Sequence, residues 1–308
     1  MQVFLILLLL SFCELPIPAL QSAEVAVPGT KVKLVPPAGL SATKQFPGFF
    51  DEESNASILV TEMPAPYSEM SKVFTKESLA SKGITLISKE EISVGESPGL
   101  LLHVRQEVQV AVLKWMVITG NETEVVMITG TFPEDLKTRW SLPLRNSVLG
   151  AKWEANLKTD PLAGLVFTIQ DDPELKFAKR ISNMIALTKN GELPGKPNND
   201  PLFIVGPAIG RAIIVNKKEF AERRLYQHPD VSISKIKNVA EVAIAGLQGY
   251  EFIAEGKQTK NVFGSIIIHQ TILFDDDSYF LLVGFAPLDK EKQYLEIFQR
   301  VSKTFRKK

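Results

Sequence analysis

The sequence predicts an α+β protein: two tandem copies of an antiparallel sheet packed between helices, an α/β/α sandwich, behind an N-terminal export signal. Three observations lead there. A block of alternating apolar residues recurs 150 positions downstream. The Gly and Pro residues that punctuate the first block recur in the second. Each block is a run of hairpin-spaced strands with a helical segment before and after it, the grammar of a sheet covered by helices.

The export signal comes first. Val3 to Phe12 carries no charge, and only Ser11 in it is polar. Ten helical residues span about 15 Å, half of a hydrocarbon core, which suits a signal h-region and not a membrane anchor. Pro16 and Pro18 end that segment, and Ser22-Ala23 offers a small-residue cleavage site. No Lys or Arg precedes the apolar run, and Gln21 stands where a small residue is usual. Residues 1–23 are therefore expected to be removed, leaving a periplasmic or secreted chain without an integral membrane segment. Cys13 is the only cysteine. The bulky Phe12 before it argues against lipid attachment. The mature chain then has no disulfide, thiol nucleophile or Cys-ligated metal, and must be held by its cores.

Charge adds little. Lys and Arg number 35 against 35 Asp and Glu, and the leader removes only Glu14. That balance gives no reason to expect a nucleic-acid partner.

The repeat is read from residues 91–102, EISVGESPGLLL, over 241–252, EVAIAGLQGYEF. Apolar positions 92, 94, 100 and 102 meet apolar 242, 244, 250 and 252, and Gly99 meets Gly249. Further on, 125–133 (VVMITGTFP) lies on 279–287 (YFLLVGFAP), with Gly130 on Gly284 and Pro133 on Pro287. The segment ending at Trp153 is placed on the one ending at Phe305. The boundaries expected are 24–156 for copy one and 157–308 for copy two, joined by the polar stretch 154–161 that ends at Pro161.

Within each copy the elements follow in order. Early strands are expected at Val32–Val35 and Ser57–Glu62, and at Leu165–Gln170 and Leu202–Val205. A helix follows at Tyr67–Ser81, with Met70, Val73, Phe74 and Leu79 on its apolar stripe, Ser68 as a cap and Gly83 as a stop. Its counterpart is Lys217–Tyr226. Strands are expected at Thr85–Val94, Leu100–Val108, Val112–Thr119 and Val125–Thr131, and at Val231–Ile244, Gly249–Ala254, Val262–Ile272 and Ser278–Phe285. Closing helices are expected at Trp140–Lys152 and Lys290–Thr304. The Gly/Pro/Asn-rich segment 190–201 of copy two reads as a surface loop.

This pattern resembles PsbP, the extrinsic photosystem II protein, and the Ran-binding Mog proteins. The residues that carry the resemblance are the strand set 92–131 with Gly130, Pro133 and Trp153, and 242–285 with Gly284, Pro287 and Phe305. The resemblance covers most of both copies and implies a tandem PsbP-like α/β/α sandwich. The family includes many exported bacterial members of unknown role, and its general theme, non-enzymatic binding or assembly, is what the resemblance implies.

The search for chemistry finds no linear catalytic motif. His103, His228 and His269 show neither HExxH nor H-x-x-x-H spacing. Gly95-Glu96-Ser97-Pro98-Gly99 has G-x-S-x-G spacing but stands between two expected strands and not before a helix, so it makes no nucleophile elbow, and Val205-Gly206-Pro207-Ala208-Ile209-Gly210-Arg211 lacks the G-K-[ST] of a P-loop. Asp275, Asp276 and Asp277 are the densest carboxylates and a weak Ca²⁺ candidate; a hairpin turn is the plainer reading. Phe46, Phe49 and Phe50, in a Pro/Gly-rich segment, are candidate partner-binding aromatics if exposed, or a loop folded over the sheet. No cofactor is expected. The function these observations point to is an exported binding or accessory protein whose partner is a protein or a small molecule outside the cytoplasm. The alternative is a hydrolase with a site between the copies, assembled from residues such as Asp171, Asp172, Arg211 and Glu222.

Each copy carries its own strands, mid-copy helix and closing helix. Fragments 24–156 and 157–308, expressed apart, are each expected to unfold cooperatively and to give dispersed amide spectra. Two insoluble fragments beside a stable full-length chain would exclude the two-domain organisation.

Overall fold

The computed structural model describes residues 23–107, 110–193, 200–209, 214–258 and 264–308. The expected leader with Cys13, the strand ends at Val108 and Val262, most of the 190–201 loop, and Gly210-Arg211 lie outside the described residues.

Copy one runs β1 (Val25–Ala26), β2 (Val32–Leu34), β3 (Ser41–Ala42), β4 (Gly48–Asp51), β5 (Ala56–Met63), α1 (Tyr67–Met70), α2 (Lys76–Ala80), β6 (Ile84–Val94), β7 (Ser97–Glu107), β8 (Ala111–Gly120), β9 (Val125–Pro133), α3 (Lys137–Leu149) and β10 (Lys152–Trp153). Copy two runs β11 (Phe167–Thr168), β12 (Lys176–Ile181), β13 (Met184–Thr188), β14 (Leu202–Pro207), α4 (Lys217–Leu225), β15 (Val231–Ile244), β16 (Leu247–Gln258), β17 (Ser265–Asp275), β18 (Ser278–Pro287), α5 (Glu291–Lys303) and β19 (Arg306–Lys307). The two large sheets have seven strands each, ordered β3-β4-β5-β9-β8-β7-β6 and β12-β13-β14-β18-β17-β16-β15, with every neighbour antiparallel. The two orders are the same permutation, so the repeat read from the sequence is a repeat of topology.

Alternating side chains on the central strands feed two apolar faces. One face of the first sheet buries Val117, Ile128 and Phe132 beneath Trp140, Leu144 and Val148 of α3. The other face buries Leu100, Leu102 and Ile118 beneath Phe74 and Leu79. The second sheet repeats this: Ile267, Leu273 and Leu282 lie beneath Tyr294, Ile297 and Phe298 of α5, and Phe252, Ile268 and Val283 lie on the α4 side. Each fully buried side chain of this kind contributes about 1.5–3 kcal/mol. The outer edges β6 and β15 carry Lys89, Glu90 and Glu91, and Lys235, Lys237 and Glu241. Both are also bulged, as protected edges are.

Four expectations need correction. The helix expected over Tyr67–Ser81 is broken: α1, a 3-10 turn at Ser71–Val73, then α2. Phe74 leaves helical geometry to bury its ring, and Thr75, not Ser68, caps the second segment by accepting from the Ser78 N–H at 3.1 Å. The closing helix of copy one begins at Lys137 and ends at Leu149, directly after a 3-10 turn at Glu134–Leu136. The strand expected at Leu165–Gln170 is only Phe167–Thr168, while β12 and β13 were not foreseen because neither alternates cleanly. Finally, Trp153 does not match Phe305. β10 pairs with β2 as β19 pairs with β11, which places Trp153 on Lys307 and Ala151 on Phe305. Ala151 and Phe305 are the buried pair.

The matched glycines have a shared cause. Gly130 lies opposite Trp115 and Gly284 opposite His269 in the ladders. A Cβ at Gly130 would sit 3.2 Å from Leu144 Cβ of α3, and one at Gly284 2.5 Å from the Phe298 ring of α5. Glycine lets each closing helix settle against its sheet. Gly284→Ala is expected to cost about 1–3 kcal/mol by overpacking, and Gly130→Ala less. Chemical denaturation of both variants checks this, and equal effects would contradict the account.

Candidate functional site

In the cleft between the two copies a cavity is lined by charged residues from both. β12, the free edge of the second sheet, lies against β5 of the first. A β-bulge between Phe177 and Lys179 breaks the alternation of β12 there and re-aims the residues that follow. Arg180 turns back to the linker. Its Nη1 donates to the carbonyls of Ala163 (2.5 Å) and Pro161 (3.3 Å), and its Nε donates to Ser182 O (2.6 Å). The guanidinium lies over Gly29 of copy one, which has φ +73° and where a Cβ would overlap it. Asn183 Nδ2 donates to Gln45 O of copy one (2.9 Å) and Pro207 O of copy two (3.1 Å). These contacts close the joint behind the cleft.

In front of them is a cavity of about 300 Å³ lined by Lys31, Glu62, Glu124, Lys179, Arg180 and Ser182. Lys31, in the turn before β2, donates from Nζ to Glu124 Oε1 (2.5 Å) and Ala155 O (2.8 Å), and from its backbone N–H to Glu62 Oε1 (2.8 Å). Glu124 is thereby paired. Glu62 and Lys179 are not: each feels the other's field, but they form no ion pair. Burial pushes the Glu62 carboxyl up from the ordinary carboxylate range, with Glu124 adding to the rise and the Lys31 N–H and the lysines opposing it. Burial pulls the Lys179 amine down from the ordinary lysine value, against the pull of Glu124. The Ser182 hydroxyl is buried without a partner, on a residue at φ +57°. Beside the Lys31–Glu124 pair and the committed Arg180, the site thus holds one unpaired carboxyl, one unpaired amine and one idle hydroxyl, all partly stripped of water.

The residues singled out from sequence lie elsewhere. Phe49 and Phe50 lie on β4, a strand of the first sheet and not a loop folded over it: Phe49 is in the core of copy one, Phe46 in the β3–β4 turn is buried, and Phe50 is half-buried with its ring edge-on to Phe46 at 6.3 Å, which leaves no exposed aromatic patch. Asp275, Asp276 and Asp277 form the β17–β18 turn, Asp276 at φ +48° and Asp275 ion-paired with Lys307 at 2.6 Å. Among the described residues no three metal-ligating side chains come together. Asp171 accepts from the Phe177 N–H, and the buried Asp172 is ion-paired with Arg300 at 2.7 Å, which holds its carboxyl below the usual range. Glu222 is on α4, across the second sheet from Arg300 on α5. The carboxylates proposed for a hydrolytic site therefore do not meet.

The histidines are held structurally. His228 Nε2 faces Gln270 Oε1 at 2.9 Å, and burial keeps the ring below its ordinary value. His103 stacks on Trp115 at 3.9 Å and is shifted the same way by burial. His269, fully buried, faces Glu251 Oε2 at 2.9 Å. None of the cleft residues was legible from sequence. Lys31, Glu62, Glu124 and Lys179 are isolated charges spread over the first 180 positions, with no spacing that binds them.

The sign of the Glu62 effect is fixed by its direction. A carboxyl raised in the folded state binds its proton more tightly there than in the unfolded chain, so the ionised form costs stability above the folded pKa. That cost vanishes as pH falls below the ordinary carboxylate range. Glu62→Gln keeps the acceptor for Lys31 and removes the charge. It is expected to raise the melting temperature at neutral pH and to leave it unchanged near pH 3; a destabilised variant at neutral pH would contradict this.

No family model matches the chain, and no curated protein is similar to it at a significant level. Similar solved structures include cyanobacterial PsbP (CyanoP) of Synechocystis sp. PCC 6803, at 17% identity over 40% of this chain and 87% of that one, TM-score 0.29. The Saccharomyces cerevisiae Ran-binding protein Mog1p is 11% identical over 46% of this chain and 89% of its own, TM-score 0.30. The T6SS immunity protein TplEi of Pseudomonas aeruginosa is 12% identical over 87% of this chain and 96% of its own, TM-score 0.30. At these scores the overlap assigns neither activity nor partner.

Proposed function

We propose that this chain is an exported, non-enzymatic binding protein whose binding face is the cleft between its two copies. The observation that supports it is the pair Glu62 and Lys179. Both are penalised by burial, neither has an ion-pair partner among the described residues, and both face one cavity. Charged groups kept at a cost to folding mark sites selected for something other than stability. The apolar run Val3–Phe12 supports work outside the cytoplasm, and no helix among the described residues is long and apolar enough to cross a membrane. A binding role suits the cleft better than the hydrolysis expected of Asp171, Asp172 and Glu222, because none of these three carboxylates lines it.

The test compares three immobilised proteins: the wild type, Lys179→Glu and Lys179→Met. Each is exposed to the native envelope fraction, and the retained proteins and small molecules are identified by mass spectrometry. A component held by the wild type is expected to be lost from Lys179→Glu, which reverses the charge. Lys179→Met is expected to lose it as well while melting at or above the wild-type temperature. Intact-mass measurement is expected to find the exported chain starting at Glu24. The proposal fails if all three proteins retain the same set, or if the wild type turns over a hydrolase substrate and Glu62→Gln abolishes that turnover.

A further inference from the structure

We propose that the ligand of this cleft is a small zwitterion, an amino acid or short peptide with free termini, held by its ammonium at Glu62 and its carboxylate at Lys179. This rests on the cleft being the binding face. The two walls carry opposite charges that do not neutralise each other. Lys31 is already committed to Glu124 and the Ala155 carbonyl, and Arg180 to three carbonyls. Glu62 spends only Oε1, on the Lys31 N–H, which leaves its second oxygen to accept from a guest. Lys179 Nζ makes no hydrogen bond or ion pair with any described residue, so its donors are free.

A guest bearing one charge would satisfy one wall and leave the other desolvated. A purely anionic guest would also meet Glu62 and Glu124, and a purely cationic one Lys179 and Lys31. A guest with both charges returns a partner to each wall at once, in charge-assisted hydrogen bonds, the strong class. The idle Ser182 hydroxyl is placed to take a third contact on the Lys179 side. A volume of about 300 Å³ is at the small end of ligand cavities, which sets the scale at one or two residues.

The experiment titrates the full mature protein with three probes by calorimetry and by amide NMR. L-Alanyl-L-alanine carries both charges, N-acetyl-L-alanyl-L-alanine only the carboxylate, and L-alanyl-L-alaninamide only the ammonium. The free dipeptide is expected to give saturable shifts at Thr30 and Ser182, and each blocked probe to bind about tenfold more weakly or worse. Glu62→Gln should abolish the discrimination against the acetylated probe, and Lys179→Met that against the amide. The NMR readout needs no variant, so a misfolded mutant does not decide the outcome. The proposal is overturned if the three probes bind equally, if none gives saturable shifts, or if the two variants change nothing. Should the dipeptide fail while Lys179→Glu still loses an envelope component, the cleft binds another chemistry and only this proposal falls. Should both fail, the cleft is not the binding face.

Discussion

Everything in this molecule follows from an antiparallel sheet that is apolar on both faces. Such a sheet has no side to leave in water, so each of the two must be covered twice. The chain meets this by sending a helical segment over one face on the way from the third strand to the far edge, and a second helix over the other face at the end. The closing helices must come close to fill their side, and Gly130 and Gly284 make room for Leu144 and Phe298. The short terminal pairings β2–β10 and β11–β19 then tie each helix end back to the start of its own copy.

The copies have diverged where the closing helix meets the sheet. In copy one Trp115 stacks with His103, donates from Nε1 to the Ser141 hydroxyl at 3.1 Å, and lies under the Arg145 guanidinium at 5.4 Å. In copy two the same ladder position is His269, the position of Leu101 is Glu251, and the position of Arg145 is Gln299. Burial alone would push the Glu251 carboxyl up. Its contacts with His269 at 2.9 Å and with the Gln299 amide at 3.0 Å outweigh that and hold it below the usual range. One copy fills the spot with aromatic stacking and the other with a hydrogen-bonded polar cluster; both keep the helix seated.

The joint between the copies is made of different material. Asn183 donates across it to Gln45 O, and the Arg180 guanidinium, held by Pro161 O and Ala163 O of its own copy, lies against Gly29 of copy one. Copy one also lies against the β12 edge that the second sheet would otherwise leave open. A joint of this kind leaves a polar cavity in front of it. The opposed groups there, Glu62 and Lys179, are each shifted by burial against their charged form.

The sequence by itself determined the repeat, the strand runs and the closing helices, because apolar alternation and Gly/Pro punctuation are local signals with fixed periods. It also placed the hairpin turn at Asp275–Asp277 and the stop at Gly83, where φ is +71°. It could not place β12, whose bulge erases the alternation, or the break at Phe74, which only tertiary burial rewards. It misaligned Trp153 with Phe305 because both are aromatic, whereas the ladder pairs set the equivalence. The cleft lay wholly beyond it. Lys31, Glu62 and Glu124 meet within copy one, and Lys179 joins them only when the two separately covered sheets are set edge to face. Local periodicity decides which residues form a sheet; which charges lose their water is decided by how two finished sheets meet.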